Sequence, residues 1–247
     1  MDSSRRSYRQ SMQPAGFTGF TCKVKETDLH IAVDEASFNP TLIAYTEKRV
    51  LYYRTLLEQY ISREPVFGTT LEPFVVFSDA PPMAFAMATA GNIAGVGPMA
   101  AVAGAFAEFV GRDLLQFVQQ VIVENGGDIF LQVLSKTNVS VFAGNSPLSN
   151  HLLLELEPIA GGFGVCTSSG TVGPSLSLGR ADAAVIVAPS TLLADAVATA
   201  TANRVQTADD LSAALEFARH VPGVSGVLII KDDLLAAWGQ LKLKSVS

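Results

Sequence analysis

The segment Gly164-Val165-Cys166-Thr167-Ser168-Ser169-Gly170-Thr171-Val172-Gly173 gathers four hydroxyl side chains and several glycines in one loop. Hydroxyls and exposed backbone N–H groups on such a loop can cradle a phosphate or carboxyl group. The same composition also builds an ordinary polar turn. No Gly-Lys-Ser/Thr follows, so the loop is not a Walker-type phosphate binder. A second pair, Asp195 and Thr199, lies four residues apart and shares one face of a helix. A carboxylate plus a neutral oxygen is what a hard cation such as Mg²⁺ takes from a protein when waters and substrate phosphates complete its shell. A first-turn Asp also partners the helix dipole, and a helical Thr can bond back to its own backbone. The third feature, Glu124-Asn125-Gly126-Gly127-Asp128, reads as a hairpin turn whose glycines would also let a backbone approach a ligand.

Other catalytic side chains are scarce. His30, His151 and His220 are scattered, no His/Cys spacing suits a metal, and Gly-x-Ser-x-Gly is absent. Cys166 is a nucleophile candidate by type, and a small buried apolar residue by its Gly-Val-Cys context. Glu108 stands alone in an apolar run, either satisfied internally or facing a pocket. No catalytic residue is assigned on these grounds.

The elements that must position these residues follow from periodicity. Phe17 to Val24 and Leu29 to Val33 alternate around a polar turn and predict a hairpin. Asn39-Pro40 supplies a cap and a first-turn proline for a long amphipathic helix that ends before Pro65. Pro98 opens a second helix, apolar nearly all round, with Gly111 placed to close it. Strands are expected at Val118 to Val123, Ile129 to Leu134, Val139 to Ala143 and Leu152 to Leu156, joined by tight turns that favour antiparallel pairing. Ala183 to Val187 and Val224 to Ile230 read as strands. Leu192 to Asn203, capped by Ser190 or Thr191, and Ala208 to Arg219 read as helices. Grouped strands with helices between the groups indicate one α+β domain over residues 15–247, preceded by a polar, mobile arm over residues 1–14.

Composition bounds the function. The 247 residues are 49% hydrophobic and carry a net charge of −6, with no basic run outside the arm. That excludes disorder and argues against nucleic acid as a partner. Two cysteines and no apolar leader suggest a reducing, cytoplasmic setting. No charge occurs between Asp79 and Glu108, a stretch long enough to span a membrane. Its Ala and Gly content, broken by Asn92 and Gly95-Val96-Gly97-Pro98, fits a small-residue helix inside a domain instead.

Val121 to Ile129 with its Asn-Gly-Gly-Asp turn, the Gly164 to Gly173 loop, and Ala194-Asp195-Ala196-Val197-Ala198-Thr199 occur in the order seen in the ApbE flavin-transferase superfamily, which the chain resembles. The Gly97 to Gly104 segment places it closer to an uncharacterised branch, over Phe17 to Ile230. The resemblance implies a T-fold-like α+β domain with FAD across its sheet. Gly126, Gly127, Asp128, Thr167, Ser168, Ser169, Gly170 and Thr171 would line the nucleotide. Asp195 and Thr199 would bind Mg²⁺, with Gly97 near a backbone carbonyl donor. An acceptor protein would receive FMN if the chain is a transferase. The alternatives are a ligand-binding protein without catalysis and a structural homo-oligomer. The sequence departs from the transferases in three places. Gly97-Pro98-Met99 stands where they carry Lys-Gly, a His-Ile-x-Asp-Pro motif is missing, and Pro174 occupies a position where relatives carry histidine.

Overall fold

The computed structural model describes residues 14–171 and 178–245, and its first element is the expected hairpin. Residues 1–13 of the arm, and Val172, Gly173 and Pro174, lie outside the described residues. Strand β1 (Phe17–Val24) pairs antiparallel with β2 (Thr27–Asp34), Val24 opposite Thr27. Helix α1 (Thr41–Arg63) starts where Asn39 Oδ1 accepts the Thr41 N–H at 2.9 Å. Leu42, Val50, Tyr53, Leu57 and Tyr60 form its buried stripe at helical spacing. It stops ahead of Pro65, which opens the short α2 (Pro65–Thr69).

The charge-free stretch becomes α3 (Pro82–Ala94), ended by left-handed Gly95, then a 3-10 turn at Pro98–Ala101 and α4 (Val102–Leu114). The two helical runs meet at 104°, and among the described residues no single helix is long and apolar enough to cross a membrane. Gly111 does not end α4, contrary to its reading as a terminator. A Cβ there would lie 2.3 Å from the Phe130 ring, so the glycine lets the helix sit on the sheet, and α4 runs on to Leu114.

The remaining strands are β3 (Val121–Asn125), β4 (Asp128–Gln132), β5 (Thr137–Ser140), β6 (Leu152–Leu156), β7 (Phe163–Ser168) and β8 (Ala183–Ala188). Helices α5 (Thr191–Ala202) and α6 (Leu211–Arg219) precede β9 (Gly226–Lys231), β10 (Leu234–Gly239) and β11 (Lys242–Ser245). Eight strands form one sheet in the order β1-β2-β3-β4-β7-β8-β9-β10, and a second sheet has the order β11-β6-β5. Every pair among the described residues is antiparallel, including those, such as β2 with β3 and β8 with β9, that long helical connections join.

Strand alternation divides the core into two layers. Phe130, Cys166, Ile186 and Ile229 face the helices. Leu131, Val165, Val185 and Leu228 face the small sheet, meeting Val139 and Leu154. The large sheet is thus covered on both sides, and its helix-side face carries the hairpin and loop singled out by the sequence.

Candidate functional site

The turn between β3 and β4 is two residues long. Asn125 pairs with Asp128, and Gly126 and Gly127 have φ of 69° and 112°. Two consecutive positive φ values match the twist of a tight hairpin and explain the paired glycines. A Cβ on Gly127 would have Thr167 O 3.8 Å away, so the turn's neighbour is the end of β7. The Gly-Gly-Asp turn and the start of the Ser/Thr loop, far apart in sequence, are therefore side by side.

A second convergence involves helix starts. Ser190 caps α5, its Oγ accepting the Leu193 N–H at 3.3 Å. The lone Glu108 of α4 reaches the same turn. Its Oε2 accepts the Thr191 N–H at 2.6 Å, while Oε1 pairs with Arg112 at 2.7 Å. In return, Asp195 of α5 accepts the Gly104 N–H, in the first turn of α4, at 2.8 Å through Oδ2. Each helix uses a carboxylate from its neighbour to satisfy an orphan donor at its own N-terminus. Close approach makes this possible. A Cβ on Gly104 would lie 2.5 Å from Thr191 O, and one on Gly164 would lie 2.4 Å from Thr191 Cα. Asn125 ties the hairpin to the same place, its Nδ2 donating to Ala103 O at 3.1 Å.

The floor of this region is buried and acidic. Asp128, Cys166 and Asp195 are all buried. Burial, with the charge of Glu124, pushes the Asp128 carboxyl up to about 7. Burial and the charge of Asp128 hold Asp195 well above the usual carboxylate range, against the pull of the Gly104 and Ala103 N–H groups. The Cys166 thiol, buried between these two acids, is also raised well above its ordinary value. It donates to Thr191 O at 3.3 Å, so it is a packed thiol and not an activated nucleophile. Asp128 Oδ1 is buried without a hydrogen-bond partner. An oxygen of this kind, beside a second acid, suits a cation supplied from outside. Among the described residues no three His, Cys, Asp or Glu side chains converge on a metal position, so a cation here would depend on backbone, hydroxyl or ligand oxygens as well.

The other expected residues divide. Thr167 and Ser168 end β7, half-buried beside the turn, and Thr199 is half-buried one helical turn beyond Asp195. Ser169, Gly170 and Thr171 instead continue toward β8. Gly170 N–H bonds Ala181 O at 2.9 Å, Ser169 Oγ–H bonds the same carbonyl at 3.3 Å, and Thr171 Oγ1–H bonds Asp182 Oδ1 at 3.1 Å. These three extend the β7–β8 ladder, so their donors are engaged within the protein. Gly97 is likewise committed. Its carbonyl accepts the Ala100 N–H at 3.1 Å and its N–H bonds Leu71 O at 2.8 Å. The backbone that meets Asp195 is that of Ala103 and Gly104. Sequence reading missed these two residues, Asn125's side chain and Glu108's capping role. The isolated charge of Glu108 in an apolar helix was the available signal. Clefts of about 280 Å³ beside Asp182 and Asp232, and of about 360 Å³ beside Glu155 and Leu241, involve none of Gly127, Asp128 or Asp195. In them Asp182 and Asp232 pair with Lys231, Glu155 with Lys242 and Lys244, and Glu157 with Lys136.

Similarity to known proteins agrees with this layout. A UPF0280 protein of Methanococcus vannielii is 41% identical over 223 residues, covering 88% of this chain and 89% of that protein. One of Methanosarcina acetivorans is 38% identical over 221 residues, covering 89% and 85%. The structure of the flavinyl transferase ApbE of Pseudomonas stutzeri, in its apo form, matches with a TM-score of 0.57 at 13% identity, over 90% of this chain and 94% of that one. The ApbE protein of Thermotoga maritima matches with a TM-score of 0.54, also at 13% identity, over 89% and 96%. At such identity these two likenesses concern the fold. Residues 9–230 match the family described as AbpE bacteria, and the chain, an ApbE-like protein in both sequence and fold, belongs to that family.

Proposed function

We propose that the protein binds a flavin nucleotide, FAD, through its pyrophosphate, with Mg²⁺ beside Asp195 and Thr199. One observation carries this reading: the starts of α4 and α5 meet the Gly126-Gly127 turn and the end of β7 at a single place. Two helix N-termini together turn their positive dipole ends toward one place, which favours an anion there. The half-buried Gly127, Thr167 and Ser168 form the rim that a diphosphate would touch, with the nucleotide across the sheet in the T-fold-like manner. The donor set fits Mg²⁺, because Asp128 Oδ1 lacks a partner and the acids beneath it lack a compensating cation. Asp195 and Thr199 would hold the ion, with ligand oxygens completing its shell. Bound there, Mg²⁺ would neutralise charge on the phosphates.

A second reading, FMN transfer, has its own support in Asp128. A carboxyl raised to about 7 is matched to proton transfer near neutral pH. In that reaction an acceptor hydroxyl attacks the FMN phosphorus and the phosphoanhydride bond breaks. AMP leaves, and the hydroxyl proton passes to Asp128. The chain's own residues would orient the diphosphate and take up that proton.

Thermal protection tests binding, and AMP release separates the two readings. FAD and ADP, sharing a diphosphate, should both raise Tm in the presence of Mg²⁺, and riboflavin should raise it much less. AMP release from FAD with an acceptor protein and Mg²⁺ would establish transfer. Protection without AMP release would leave binding alone, and no shift with any dinucleotide would remove both readings.

A further inference from the structure

A helix that is apolar around its circumference belongs inside a protein, yet α3 turns one stripe outward. Phe85 and Ile93 on that stripe remain 57% and 47% exposed. Asn92, between them, grips the extended chain that follows α2. Its Oδ1 accepts the Phe74 N–H at 2.8 Å and its Nδ2 donates to Phe74 O at 3.1 Å. This bond pair places the 71–77 segment along the rim of α3, where it adds Leu71, Val75 and Phe77 at 52%, 86% and 57% exposure. These side chains leave on the order of 600 Å² of apolar surface in water, at the upper limit for a patch on a soluble monomer.

We infer that this face is the contact between two copies of the chain related by a twofold axis. The area is the first argument. About 600 Å² of apolar surface plus its rim approaches the roughly 800 Å² per partner that a stable dimer covers. The chemistry of the patch is the second. An uncharged apolar surface is complementary to itself, which is what a twofold contact demands. The surrounding charge is the third. Between Arg63 and Arg112 there is no Lys or Arg, and of the acids Glu64, Glu72, Asp79 and the buried Glu108, Asp79 is neutralised by Arg63 at 2.9 Å. A border with so few cations offers nothing to hold an anionic lipid surface. The first thirteen residues are also a poor cover, since Arg5, Arg6, Arg9 and their Ser and Gln neighbours offer little apolar area. The inner side of α3 packs on α5, so a partner seated on the outer side braces the helix that carries Asp195. The inference does not depend on which ligand the site takes.

Sedimentation velocity of the full chain from about 0.1 to 100 µM decides it. A dimer at the upper end of this range is expected. The double variant Val75→Lys/Phe85→Glu, at two exposed positions, should keep its circular dichroism and Tm while its dimer weakens about 100-fold or more. Trp238→Lys, on the exposed edge strand β10, should leave the dimer intact. Three outcomes overturn the inference. One is a wild-type monomer throughout this range, whether or not it floats with phosphatidylcholine vesicles. Another is a chain that dimerises only after residues 1–13 are removed, which would assign the face to the arm. The third is a dimer that survives Val75→Lys/Phe85→Glu.

Discussion

Replacing Asp128 with Asn removes one charge from the floor of the site while keeping its shape. The carboxyl sits at 3.8 when unfolded and at about 7 in the fold, chiefly because it is buried and secondarily because Glu124 is near. Between those values the folded chain holds a proton that the unfolded chain has released, so stability falls as pH rises from about 4 to 7. The charged form costs the fold at most about 4 kcal/mol above pH 7. Asn cannot titrate, and its carbonyl can still accept the Thr167 N–H that Asp128 accepts. Urea unfolding in chelator from pH 5 to 8 should therefore show the wild type losing roughly 2–4 kcal/mol more than Asp128→Asn across that window. At pH 8 the variant should be the more stable protein. Mg²⁺ should restore the wild type at pH 8 and do less for the variant, because the cation offsets the charge that Asn lacks. Parallel pH profiles would show that Asp128 is not held protonated. Equal gains from Mg²⁺ would show that the ion is not near it.

Five other substitutions, at four residues, probe the same region. Asp195→Ala should lose both cation affinity and about 1–3 kcal/mol of stability, because the Gly104 N–H loses its partner. Asp195→Asn keeps that hydrogen bond, so calorimetry should find its Mg²⁺ affinity reduced with a nearly unchanged Tm; unchanged affinity in both would reduce the residue to a helix cap. Gly104→Ala places a methyl 2.5 Å from Thr191 O and should cost about 2 kcal/mol or more in urea unfolding while removing protection by FAD. Gly127→Val, at φ of 112°, should cost roughly 1–3 kcal/mol and abolish protection. Cys166→Ser should preserve protection by FAD, as befits a packed thiol, and its loss would give the sulfur a role in binding.

What periodicity and capping dictate was legible in the sequence. The Phe17 hairpin, α1 between Asn39-Pro40 and Pro65, the Leu152–Leu156 strand and the Ser190 cap all depend on residues within a few positions of one another. What failed depends on contacts at long range. Gly111 resembles a helix terminator until the Phe130 ring is in place. Strand β10, Leu234-Leu235-Ala236-Ala237-Trp238-Gly239, is built mostly of good helix formers and is a strand because it pairs with β9. Nothing in the spacing of Val139 and Leu154 tells that their strands leave the large sheet for a second one. In the Ser/Thr loop, composition showed that donors exist but not where they go. Ser169 and Thr171 spend theirs on Ala181 and Asp182.

Asp195 shows why the structural and functional readings of such a residue need not compete. As a helix partner it would be expected to serve its own helix, yet the N–H it accepts belongs to α4, and the start of α5 is served by Glu108 from α4. This exchange brings the two helix starts together, which Gly104 and Gly164 permit by carrying no side chain. It also fixes one oxygen of Asp195, so the carboxylate is already oriented before any cation arrives. A ligand held in one geometry loses less freedom on binding than a mobile one. The cost of that preorganisation is visible in the raised acids, Asp128 and Asp195, buried together without a positive charge. A protein that needed only the helix contact could have used Asn at 195 and a neutral residue at 128. Keeping two carboxylates beside two helix N-termini makes physical sense for a site that receives a cation and a phosphate together, each neutralising what the other leaves exposed.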